Sequence, residues 1–103
     1  MIMRVFTAHP KTGLDKEFAR KLIDVSVPLV LQQPGIIGHY VGGPSKGREQ
    51  PVFQMITLWR DLESVRNFAG EKWQEPVLPA GYEELLEHSE VTHYEILSWK
   101  APD

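Results

Sequence analysis

The chain has 103 residues, 42% of them apolar and 24% charged, and carries a formal net charge of −3. That length fits one domain over residues 1–103, with the composition of a soluble globular protein. The acidic balance argues against a nucleic-acid binder, which needs a basic stripe to displace counterions, and the lack of cysteine excludes disulfides, thiolate nucleophiles and thiolate-bound zinc or iron–sulfur groups.

Residues 3–9 read as a strand, rich in β-formers and stopped by Pro10 and Gly13. From Leu14 the period changes: Leu14, Phe18, Leu22, Val25 and Leu29 form the stripe of an amphipathic helix. Asp15 and Glu17 favour its positive end, Pro28 predicts a kink or a tightened turn, and Pro34-Gly35 ends it. Residues 36–42 form a second strand, closed by a turn or short loop over 43–47. The densest basic stretch, Lys46 to Arg48, lies at this loop and reads as a solvated turn. Residues 52–59 are a third strand and the most β-like run. Asp61 is an N-cap for a helix whose face is Leu62, Val65, Phe68 and Ala69, with Gly70 as its stop. Residues 72–78 predict a further helical turn interrupted by Pro76, residues 82–87 another short helical piece, and residues 91–99 the last strand.

The order predicts an α+β class: a ferredoxin-like βαββαβ sandwich with helices on one face of an antiparallel four-stranded sheet. Strand alternation splits each strand into two faces. Val5, Thr7 and His9 oppose Arg4, Phe6 and Ala8; Ile37, His39 and Val41 oppose Ile36 and Tyr40. In the third strand Phe53, Met55, Thr57 and Trp59 oppose Val52, Gln54, Ile56 and Leu58, so both sides carry large apolar groups. Helices cover one side only, and the other exceeds what a monomer tolerates. A homodimer pairing sheet to sheet is therefore expected, burying on the order of 800 Å² per partner, with Trp99 sealing the interface. No apolar run reaches about 18 residues and the N-terminus has no signal-peptide core, so no membrane contact and a cytoplasmic location are expected.

The second half resembles a known family. The residues that carry the likeness are Phe53-Gln-Met-Ile-Thr-Leu-Trp59, Leu62-Glu-Ser-Val-Arg-Asn-Phe-Ala-Gly70, Trp73, Pro76-Val77 and Val91-Thr-His-Tyr-Glu-Ile96. They are similar to the antibiotic biosynthesis monooxygenase-like family, over roughly residues 3–97. The resemblance implies a dimeric α+β barrel and, for function, either a cofactor-independent monooxygenase acting on a phenol- or quinol-like aromatic compound and O2, or a non-catalytic small-molecule-binding or sensing dimer. Such an oxygenase needs neither flavin nor metal, because the substrate supplies the electrons. The haem-degrading branch of the family uses an Asn, a Trp and a His where an ungapped register puts Thr7, Phe68 and Leu78. Haem degradation by that arrangement is therefore not expected.

Four His stand at positions 9, 39, 88 and 93 without metal-motif spacing, so no metal site is expected. His39 and His93 are the candidate catalytic bases, since His titrates near neutral pH; both also suit satisfied imidazoles in a core. Glu95 shares a strand face with His93, where it suits an interfacial pair with an Arg of the second subunit or, alternatively, a role in orienting the imidazole. Thr7, Tyr40, Trp59, Phe68 and Trp73 are the candidate substrate-binding residues, with Phe68 and Trp73 walling a planar ligand.

Overall fold

A computed structural model describes residues 1–45 and 51–100. Its elements are β1 (Ile2–Pro10), α1 (Asp15–Lys21), a π-helical turn (Leu22–Ser26), α2 (Val27–Leu31), β2 (Ile36–Gly42), β3 (Phe53–Trp59), α3 (Leu62–Ala69) and β4 (Leu86–Glu95). The strands form one sheet in the order β2-β3-β1-β4, and every neighbouring pair is antiparallel. This is the expected ferredoxin-like α+β arrangement. The Lys46–Arg48 stretch and part of the 43–47 loop lie outside the described residues. Among the described residues no helix is long and apolar enough to cross a membrane.

The first helix departs from the expected pattern in a way that matters for the site. Its stripe predicts inward positions at Val25 and Leu29, yet these are 42% and 36% exposed while Ser26 and Val30 are buried. The cause is the π turn, where the Val27 N–H reaches back five residues to the Leu22 carbonyl. One extra residue per turn advances every later side chain around the axis, so the buried series becomes Phe18, Leu22, Ser26, Val30. Pro28 explains the position. It offers no N–H, and its ring crowds the carbonyl four residues earlier; the turn widens there rather than tightening.

Other differences follow from pairing. The last strand starts at Leu86, not Val91, because residues 86–90 pair with the Thr7–Pro10 end of β1. It ends at Glu95 because Ile2 is the last residue of β1 facing it, with one further bond from Ile96 N–H to the Met1 carbonyl. Residues 82–85 are turns rather than helix, as are 71–74, and 76–79 have no regular structure. In β2 the register shifts between Ile36 and Gly38. The extra residue, Ile37, is exposed, and Ile36 joins His39 and Val41 on the helix-covered face instead of sharing Tyr40's.

The helix-covered face of the sheet holds Ile2, Arg4, Phe6 and Ala8 from β1 and Phe53, Met55, Thr57 and Trp59 from β3. Phe18 meets Phe53 and Tyr82 edge-on, with ring centroids 5.6 Å apart in both cases. Tyr82 closes a short relay: its hydroxyl donates to the Lys21 carbonyl at 2.9 Å and therefore accepts from Ser26 Oγ at 2.6 Å. At the other end Asp61 caps α3, its Oδ1 accepting from the Ser64 N–H at 2.8 Å.

Two substitutions test this packing. Tyr82→Phe leaves the buried Ser26 hydroxyl without its acceptor and the Lys21 carbonyl without the tyrosine donor; chemical denaturation should show a loss of about 1–3 kcal/mol. Gly35 has φ +86°, and a Cβ there would collide with the Ser64 side chain. Gly35→Ala should therefore lower the midpoint too, whereas an unchanged midpoint would refute the close approach of these two segments.

Candidate functional site

Arg4 sits in the middle of β1, on the face covered by helices, and only 4% of it is exposed. A buried charge needs partners, and here they are neutral. Nη1 donates to the Trp73 carbonyl at 2.6 Å and to His93 Nε2 at 2.9 Å, and Nη2 donates to the Glu75 carbonyl at 3.1 Å. Its carbon lies 5.8 Å from the centre of the Phe68 ring, within cation–π reach. Among the described residues no carboxylate pairs with it. Burial pulls its pKa below the ordinary guanidinium value, to about 10, so it stays charged at neutral pH.

Beside Arg4 lies a cavity between sheet and helices. Its enclosed part is about 40 Å³, and with its mouth the free space is about 420 Å³. The walls are apolar, with Phe6, Val30, Met55 and Phe68 among them. The polar contributions come from Arg4, Ser26 and Thr57. Ser26 is there because of the π turn. Thr57 is held by Trp59, whose Nε1 donates to its Oγ1 at 2.8 Å.

The structure gathers some of the sequence-derived candidates and separates others. Phe68 lines the cavity and stacks on Trp59, 5.3 Å between centroids at 26°. Trp59 is wholly buried beneath it and acts on the site only through Thr57 and Phe68. Trp73 is not in the cavity wall: its carbonyl binds Arg4, and its ring meets His93 edge-on at 5.0 Å. On its other side it borders a surface groove with Arg66. His93 stands next to Arg4 across the β1–β4 pair. Since Arg4 can only donate, Nε2 accepts and the imidazole is neutral with its proton on Nδ1. Burial, and then the charge of Arg4, keep its pKa below the ordinary value.

His39 pairs with Thr57 across β2–β3 but does not line the cavity. Glu95 is opposite Ile2 and makes no hydrogen bond to His93, whose Nε2 is taken by Arg4. Thr7 and Tyr40 belong to the opposite face of the sheet, because strand alternation sets them with Gln54 and Ile56 rather than with Met55 and Thr57. Thr7 accepts there from Gln54 Nε2 at 3.2 Å. The residues that sequence reasoning missed are Arg4 and Ser26. Arg4 carried a signal, a lone cation on the alternate face of a central strand; Ser26 carried none, since an ideal helix points it elsewhere.

The cavity does not fit a haem. None of its lining residues is a His, Cys or Tyr, the groups that hold haem iron singly, and His93 beside Arg4 is engaged by that residue. Among the described residues no cluster of three or more His, Cys, Asp or Glu could hold a metal ion.

No family model matches the sequence, and no curated protein matches it. Solved structures do. The haem degrader MhuD from Mycobacterium tuberculosis, with two haems bound in its active site, superposes with a TM-score of 0.71 at 15% identity, over 98% of this chain and 100% of that one. A protein named as a candidate antibiotic biosynthesis monooxygenase from Bacillus cereus gives 0.69 at 16% identity, over 98% and 97%. A mutant of SnoaB, a cofactor-independent oxygenase from Streptomyces nogalater, gives 0.72 at 18% identity, over 95% and 94%. Similarity at this level speaks for architecture. The chain has the fold of the antibiotic biosynthesis monooxygenase-like proteins.

Proposed function

We propose that the protein is a cofactor-independent monooxygenase for a small phenol- or quinol-like compound, working as a homodimer. The observation that carries this reading is the cavity of apolar walls with one buried cation and two hydroxyls, set where Phe68 can stack on a ring. The likeness in fold to a cofactor-independent oxygenase supports it. Arg4 stabilises the oxyanion formed when the aromatic hydroxyl loses its proton, and His93 Nε2 becomes a proton acceptor once Arg4 turns its Nη1–H toward the substrate. The electron-rich ring then reacts with O2. A ring carbon exchanges its C–H for C=O, that hydrogen and the hydroxyl hydrogen leave with the second oxygen atom as water, and the substrate supplies the electrons.

Oxygen uptake with a panel of hydroquinones and anthrones tests this. Uptake above buffer is expected with wild-type protein, falling at least about tenfold in His93→Phe if proton transfer limits the rate. Uptake no faster than buffer across the panel would overturn the oxygenase reading. One observation favours a non-catalytic binding or sensing dimer instead: no imidazole lines the cavity, and His93, beside Arg4, already spends its lone pair on that residue. That reading expects thermal stabilisation by an aromatic compound without turnover.

The dimer rests on the face of the sheet without helices. Tyr40 and Tyr94 there are half-exposed, and Leu97 is 95% exposed. Leu97 and Trp99 border a cleft with Met3, Tyr40 and Leu58. Sedimentation should show a dimer for the wild type and a shift to monomer for the Tyr40→Asp/Tyr94→Asp double variant, since two charges on a closing apolar face are costly. A wild-type monomer would remove the paired barrel.

A further inference from the structure

A guanidinium has five N–H donors, and the protein uses three of those of Arg4. Two go from Nη1 to Trp73 and His93, and one from Nη2 to the Glu75 carbonyl. The Nε–H and one Nη2–H have no acceptor among the described residues. No fully enclosed side-chain nitrogen or oxygen there lacks a partner, so Nε is not fully enclosed, and Arg4 lines the cavity. The guanidinium is thus held by neutral acceptors and keeps two donors, the Nε–H and one Nη2–H, that no described residue accepts. No carboxylate among the described residues neutralises it.

We infer that Arg4 is an anion seat: the cavity selects a small aromatic oxyanion, an arene carboxylate or a phenolate, over its uncharged counterpart. Adjacent donors on one guanidinium match a carboxylate or a single oxyanion. Phe6, Met55 and Phe68 supply the apolar contact for the ring. The roughly 40 Å³ beside Arg4 has room for only a few waters, so the oxyanion group sits at the guanidinium and the ring lies in the mouth. This concerns the same cavity as the oxygenase reading but needs no reaction with oxygen.

The test is therefore run under argon, by calorimetry with benzoate and benzamide, which differ mainly in charge. A hydrogen bond to a charged group is worth about tenfold in affinity or more. Wild-type protein should bind benzoate at least about tenfold tighter than benzamide, and Arg4→Met should lose the preference while still binding benzamide. Equal binding of the two by the wild type, no saturable benzoate binding, or a preference that persists in Arg4→Met would each overturn the inference. The second measurement needs no variant. The colour of bound 4-nitrophenol reports its ionisation, and its pKa on the protein should fall by about one unit or more; an unchanged or raised value would overturn the inference. Benzoate preference without oxygen uptake from the quinol panel would leave the anion seat standing and the oxygenase reading refuted.

Discussion

The buried guanidinium of Arg4 is the constraint around which one end of the molecule is arranged. A cation placed on the covered face of the central strand must recover, from the protein, the hydrogen bonds it gives up to water. The segment after α3 supplies them with backbone carbonyls from Trp73 and Glu75. A regular helix there would direct those carbonyls along its own axis. The absence of helix at 71–79 therefore suits its task, and Pro76 and Pro79 enforce it by withholding backbone donors. His93 and the Phe68 ring complete the enclosure with a lone pair and a π face.

Across the cavity, the π turn makes the second contribution. Ser26 enters the interior only because the helix gains one residue before Pro28, and Tyr82 then ties that hydroxyl to the Lys21 carbonyl. The relay joins the end of α1 to the irregular chain before β4. Sheet, first helix and irregular segment thus meet at polar contacts flanking one small space. The walls are otherwise hydrocarbon and aromatic, which strengthens each polar contact by keeping water away.

Strands and their faces were legible in the sequence because alternation survives in β1 and β3, where Phe53, Met55, Thr57 and Trp59 all turn inward as the pattern implies. The ends of β4 were less so. His88, Ser89 and Glu90 have little β character, and their pairing with residues 7–9 of β1 overrides local preference. The helical stripe misled at Val25 and Leu29 because a period of 3.6 assumes no inserted residue. Thr7 and Tyr40 looked like ligand contacts until the register set them on the open face. Arg4 was visible as a charge, but its isolation from carboxylates depends on chain far away in sequence.

That distance has a consequence for how the protein reaches its native state. The partners of Arg4 lie 69, 71 and 89 residues further along the chain, and β1 is a central strand whose neighbours are β3 and β4. Such contacts are formed only after long loops have closed, so this topology has a high contact order and belongs to the slower folding classes. During synthesis the first strand emerges with its charge hydrated and no partner on either edge. Dehydration of Arg4 must wait for β4 and the Trp73 carbonyl to arrive together, which makes the cavity among the last features to form.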